Sequence, residues 1–159
     1  MVSMKQAEPA SAGASPVVEL RELHKSFGAL EVLKGISFTA REGQVVSLIG
    51  SSGSGKSTLL RCINMLEIPD QGEVLIDGEP ILLKGEGAHR RIGDENQIRR
   101  IRSELGMVFQ SFNLWAHMTI LQNVMEAPLV VQKRARPEVE AEARAMLDKV
   151  GIGAKADAY

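Results

Sequence analysis

The stretch Gly50-Ser51-Ser52-Gly53-Ser54-Gly55-Lys56-Ser57-Thr58 constrains this chain more than any other. It fits the pattern G-x-x-x-x-G-K-[ST] at every fixed position. The run before it, Gln44 to Ile49, is mostly apolar and reads as a buried strand, and the run from Thr58 to Met65 reads as a helix. A glycine-rich loop between a strand and a helix is a built phosphate site. A flexible Gly/Ser turn that merely carries a lysine would not need those flanks. Gly53 and Gly55 let backbone N–H groups approach phosphate oxygens without Cβ clashes, and a helix beginning near Gly55 adds the positive end of its dipole. Lys56 is the candidate for the β- and γ-phosphates, and the Ser57 hydroxyl for Mg²⁺.

Length and charge narrow the rest. A chain of 159 residues is long enough for one domain with a usable core. A net charge of −1 gives no electrostatic case for a nucleic-acid partner. No apolar run approaches the roughly 18 residues of a membrane span. Cys62 is the single cysteine and is expected to be a buried structural thiol. The composition suits the cytosol.

Residues 1–16 are rich in Ala, Ser, Pro and Gly, lack the apolar run of a secretory signal and are expected to be a disordered leader; Met4 is a possible start. Order is expected from Val17, in an alternating strand that His24-Lys25-Ser26-Phe27-Gly28 interrupts. Phe27 is one of six aromatics (four Phe, one Trp, one Tyr). Spacing leaves it open between stacking on a flat ring and packing in the core. Leu33 and Ile36 to Ala40 give a second strand, and Glu73 to Ile76 a third, after a turn at Pro69-Asp70-Gln71-Gly72.

Lys84 to Arg102 begins as a loop and becomes a helix burying Ile98, Ile101 and Leu105, with Asp94 and Glu95 near its positive end and Arg99, Arg100 and Arg102 outward. Met107-Val108-Phe109 reads as a short strand closing on Gln110, whose amide could sit near a metal or water or simply face solvent. Thr119 to Gln122 forms a capping box opening a helix towards Pro128. A further helix from near Pro137 carries the stripe Val139, Ala143, Met146, Leu147 and Val150, pairs Glu140 with Arg144, and stops at Gly151. The tail after it is too short for another element.

Together these motifs resemble the ATP-binding cassette ATPases, from Val17 to Tyr159. Phe27 falls where that family places its adenine-stacking aromatic, Gly50 to Ser57 match its phosphate loop, and Gln110 matches the metal- and water-sensing glutamine of the loop that couples to a permease. The Leu33-Lys34-Gly35 turn, the charged insert and Gln110 to Thr119 look like the histidine and octopine permease subfamily, which imports polar and basic amino acids. The resemblance implies an α/β fold: a P-loop NTPase core with an antiparallel β subdomain (17–110) and the start of a helical subdomain (111–159). It further implies ATP and Mg²⁺, with Ser57 and Gln110 as metal ligands. The implied partners are a second nucleotide-binding subunit, a membrane permease at the cytoplasmic face of the inner membrane, and a solute-binding protein.

The family's serine-glycine-glycine-glutamine signature, metal-binding aspartate, catalytic glutamate and switch histidine have no counterparts here; His24, His89 and His117 all lie too early. The chain therefore reads as the first half to two-thirds of a nucleotide-binding domain. By itself it is expected to be catalytically deficient and unstable, with an unpaired edge on the strand before the phosphate loop. A non-catalytic nucleotide-binding fragment and another P-loop phosphoryl transferase are the competing readings.

Overall fold

A computed structural model describes residues 3–6 and 14–159. Two compact units divide between Gly106 and Met107, so Gln110 belongs to the second.

The first unit is built on a four-stranded antiparallel sheet. Its long hairpin pairs β2 (Pro16–Phe27) with β3 (Leu30–Arg41), after β1 (Ser3–Gln6). Strand β4 (Val46–Ile49) precedes the phosphate loop. β5 (Gln71–Ile76) and β6 (Glu79–Pro80) complete the sheet in the order β3-β2-β5-β6. β7 (Leu83–Lys84) and β8 (Arg91–Ile92) pair separately. The helices are α1 (Lys56–Ile63) and α2 (Glu95–Glu104).

The sheet follows from its sequence. Alternation puts Leu20, Leu23, Leu33, Val74 and Ile76 into one core with Leu59 and Cys62 of α1 and Ile98 and Ile101 of α2. Strand β2 is not interrupted at His24 as expected. At Glu22 φ is +46° and the register with both neighbours shifts, and the pairing with β3 shifts again between Leu23 and Lys25 and between Lys25 and Ser26. A bulge absorbs an extra residue without ending pairing, so β2 continues to Phe27. Gly72 lies against this bulge so closely that a Cβ there would stand 2.2 Å from the Glu22 carbonyl oxygen. Likewise the expected turn at Leu33-Lys34-Gly35 lies within β3, with Gly35 at φ +66°.

The expectation of a buried phosphate-loop strand over Gln44 to Ile49 is corrected. The strand is shorter than expected and half-open: Val45 lies outside it, and Ile49 is 57% exposed. One of its edges is paired, to β1, which runs antiparallel with Ser3 opposite Ile49 and Gln6 opposite Val46; no other strand among the described residues pairs with it, so its second edge carries no described partner strand, as expected. The stretch expected to be a disordered leader therefore contributes a strand at Ser3–Gln6, since an apolar strand's open ladder can be filled by any extended segment. The remaining leader residues before Ala14 lie outside the described residues.

In α2, the Asp94 carboxylate caps the backbone N–H groups of Asn96 and Gln97, as its place near the positive end predicts. The arginines do more than face water. Arg100 pairs with Glu79, and Arg102 donates from Nε to the Asn64 carbonyl (3.1 Å) and from Nη2 to that of Met65 (2.8 Å), satisfying the C-terminal end of α1.

The second unit holds α3 (Ile120–Val130) and α4 (Arg136–Lys149). Thr119 and Gln122 make the full capping box, and Glu140 and Arg144 pair at 3.1 Å. Leu121, Met125, Val139, Ala143, Leu147 and Ala156 form its core. Met146 and Val150 belong to the expected stripe yet stay exposed, because helix α3 covers only the arc centred on Val139, Ala143 and Leu147. α3 continues two residues past Pro128, and a 3₁₀ turn (Gly153–Lys155) follows Gly151. Met107-Val108-Phe109 forms no strand: Val108 is 97% exposed, and no described segment supplies a ladder for it. Gln110 accordingly sits in an exposed bend rather than at a strand end.

Candidate functional site

The loop from Gly50 to Gly55 turns the chain from β4 into α1, and two glycines do this for different reasons. Gly53 has φ +76° with nothing within 4 Å of a would-be Cβ, so its backbone conformation alone calls for glycine. Gly55 has φ +97° and is buried; a Cβ there would stand 2.9 Å from Val32 Cγ1 and 3.2 Å from the Val32 carbonyl oxygen. The loop is thereby pressed against β3.

Gly55 is the N-cap of α1, and no side chain caps the helix. The first intrahelical bond runs from Leu59 N to Gly55 O (2.8 Å). The leading amides at Lys56, Ser57 and Thr58 thus lack a carboxylate or hydroxyl cap, and the first turn contains no acidic residue. A lysine as the first helical residue opposes the dipole unless an anion sits in front of it. This end of α1 is therefore matched to an anion with several acceptor oxygens.

Lys56 arches back over the loop. Its Nζ donates to the carbonyls of Gly50 and Ser51 (2.8 Å each) and lies 3.4 Å from Ser54 Oγ. Ser54 N in turn donates to Ser51 O (3.2 Å), closing a turn within the loop. The ammonium is held over the same residues whose amides would meet a phosphate. Ser57, the second residue of α1, is exposed.

Beside the loop, a cleft of about 500 Å³ is lined by Leu30, Glu31, Val32, Lys34 and Ile36 of β3 together with Gly53 and Ser54. Sequence reasoning did not single out these β3 residues as site residues. Of these, only Ile36 fell within the strand read from alternation, which carried no sign of which face the loop would meet. Phe27 stands at the cleft's end, since it pairs with Leu30 across a two-residue turn whose first position is Gly28 at φ +60°. The ring is 46% exposed, which removes the core reading that spacing left open. Lys25 Nζ lies 5.4 Å from its centroid. Of the site residues read from the sequence, Gly53 and Ser54 line this cleft, and Phe27 is linked to it through its pairing with Leu30.

Cys62, on the buried face of α1, is inaccessible, and burial pushes its thiol up to about 12. It is structural, as expected. Among the described residues no group of three or more His, Cys, Asp or Glu side chains could hold a metal. No helix of the described residues is long and apolar enough to cross a membrane.

In the second unit, Asn113, Leu114, Trp115, Val124, Ala127, Val130 and Val131 line a largely apolar groove of about 340 Å³. Asn123 fastens the loop to α3: its Oδ1 accepts from Trp115 N (2.8 Å), and its Nδ2 donates to the Trp115, Met118 and Thr119 carbonyls.

Residues 33–159 match the family model described as ABC transporter. Among curated proteins, the octopine permease ATP-binding protein P of Rhizobium meliloti is 57% identical over 145 residues, covering 91% of this chain and 55% of the relative. The arginine/ornithine transport ATP-binding protein AotP of Pseudomonas aeruginosa is 50% identical over 143 residues, 89% of this chain and 56% of its own length. The histidine/lysine/arginine/ornithine transport ATP-binding protein HisP of Escherichia coli is 51% identical over 136 residues, with coverage of 85% and 53%. The chain thus spans about half the length of the curated relatives it matches. Among solved structures, cbiO1 from Clostridium perfringens, part of the ABC transporter complex cbiONQ, superposes with a TM-score of 0.67 at 25% identity, over 91% of this chain and 54% of that one.

Proposed function

Because the chain belongs to the ABC transporter family, we propose that it is the nucleotide-binding portion of an ATP-binding subunit that couples ATP binding and hydrolysis to amino-acid uptake through a membrane permease. The observation that carries the nucleotide part is the uncapped N-terminus of α1 behind Gly53 and Gly55, with Lys56 arched over it. The relatives' names carry the amino-acid part.

In this reading the leading amides of α1 bind the phosphates, and Lys56 exchanges its carbonyl partners for phosphate oxygens. The base lies in the β3 cleft against Phe27. Mg²⁺, when bound, neutralises charge on the β- and γ-oxygens. A hydroxyl is the hard oxygen donor this ion takes, and Ser57 presents one at the head of the helix. Gln110 is assigned its metal- and water-sensing role on family analogy. The exposed apolar groove around Leu114, Trp115 and Val131 is the surface proposed for the permease, because buried aromatic anchors dominate such contacts. A second nucleotide-binding subunit, a solute-binding protein and a place at the cytoplasmic face of the inner membrane belong to the same proposal.

Calorimetric titration with Mg-ATP tests it. Lys56→Ala should cost about 1.5–3 kcal/mol of binding, the range for hydrogen bonds to charged groups. The effect of Ser57→Ala should shrink when ATP is titrated with EDTA present. Unchanged affinity in Lys56→Ala would refute the assignment.

A further inference from the structure

The end of β2 that carries Phe27 is fastened by one side chain from a distant part of the chain. The backbone pairing of β2 with β5 ends at His24 opposite Gln71. Beyond that point Asp70 takes over. Its backbone N–H donates to the His24 carbonyl (2.8 Å), its Oδ2 accepts from Ser26 N (2.7 Å), and its Oδ1 accepts from Lys25 Nζ (3.3 Å). Lys25 Nζ also donates to the Ile68 carbonyl (2.8 Å) and stands over the Phe27 ring.

Three successive residues of β2, His24, Lys25 and Ser26, are thus held by Asp70, and Phe27 is the next. The Lys25 and Asp70 side chains are only 14% and 16% exposed, so the pair is shielded from solvent and salt. Ile68 and Asp70 lie on the segment that leaves α1, whose other end meets the phosphate. The clamp therefore ties the aromatic platform to the helix that anchors the triphosphate, and fixes the separation between the two ends of one ligand. Holding a flat ring in place beforehand removes the ordering cost of binding against it.

We infer that Asp70 and Lys25 are positioning residues for base recognition, setting Phe27 at the height where it stacks on the nucleotide base. This rests on the proposed nucleotide site and on the stacking role of Phe27 within it.

The test compares the affinity of the full chain for Mg-ATP with that for Mg-tripolyphosphate, which has the phosphates and no base. Phe27→Ala and Asp70→Ala should each weaken ATP about 2- to 12-fold, the worth of an aromatic pair, and leave tripolyphosphate unchanged. Asp70→Asn keeps an oxygen for Ser26 N and should hold ATP affinity within about twofold of the parent. Lys25→Met should weaken ATP selectively as well, and serves if Asp70→Ala does not fold. Selective loss in Phe27→Ala alone, with Asp70→Ala or Lys25→Met at parental ATP affinity, overturns the inference and leaves the stacking reading standing. Equal loss of both ligands in the Asp70 and Lys25 variants also overturns it, since that is what general loosening of the fold would do. If Phe27→Ala itself leaves ATP unchanged, the stacking reading falls and takes the inference with it. Loss of tripolyphosphate binding in Lys56→Ala reports independently on the phosphate site.

Discussion

Gly55 and Val32 meet so closely that a single added Cβ would stand 2.9 Å from the valine's Cγ1. The phosphate loop is therefore seated on β3, and its shape depends on a strand about twenty residues earlier. Gly55→Ala carries two penalties, a left-handed backbone at φ +97° and this contact, whereas Gly53→Ala carries only the backbone penalty. Gly55→Ala should destabilise the first unit by about 1–3 kcal/mol and weaken ATP, by more than Gly53→Ala in both respects. Urea melts and ATP titrations of the two variants check this; equal effects would show that the seat on Val32 does not matter.

Burial of Cys62 makes a prediction about reactivity and pH. With its thiol pushed up to about 12, the side chain stays neutral at pH 8 and should resist a thiol-specific reagent until the first unit opens. Because the folded value lies above the ordinary 9.0, its contribution to stability is full below about pH 9 and is lost as pH rises toward 12. Labelling kinetics in increasing urea should follow unfolding, and rapid labelling of the native chain would contradict the burial.

Glu79 behaves in the opposite sense. Hydrogen bonds from Gln97 Nε2 (2.7 Å) and from Arg100 hold its carboxyl below the ordinary 4.5. A depressed folded value means the stabilisation is present above pH 4.5 and is lost as pH falls through the folded value. Glu79→Gln should therefore flatten the acid limb of the stability curve below about pH 4.5 and leave its slope near neutral pH unchanged. Chemical denaturation across that acid window decides it, and an unchanged slope would sink the assignment.

The second unit has its own test at Thr119. Its side chain accepts from Gln122 N (3.2 Å), and Gln122 Oε1 accepts from Thr119 N (2.8 Å). Thr119→Ala should cost about 0.5–2 kcal/mol, and Thr119→Ser should recover most of it. Thermal melts followed by helical circular dichroism would show this, and equal melting of Ala and Ser variants would deny the cap any role.

What the sequence determined by itself was local. The phosphate loop, the Asp94 cap, the Thr119 capping box, the Glu140–Arg144 pair and the stop at Gly151 each depend on residues within a few positions, so their residue types suffice to place them. The tertiary structure decided what depends on partners distant in sequence. Whether Phe27 packs in the core turned on its exposure, which spacing along the strand could not give. Met107 to Phe109 has the composition of a strand, yet no strand among the described residues pairs with it, and a strand exists only where another strand's N–H and C=O groups meet it. Ser3 to Gln6 shows the converse: a mostly polar stretch of the leader forms a strand where β4 offers an edge. Met146 and Val150 fit a helical stripe, but periodicity gives a face's direction and not its width, which the covering helix sets. Arg102, read as solvated, ends on carbonyls of a helix some forty residues away, since a guanidinium reaches whatever unpaired acceptors the packing presents.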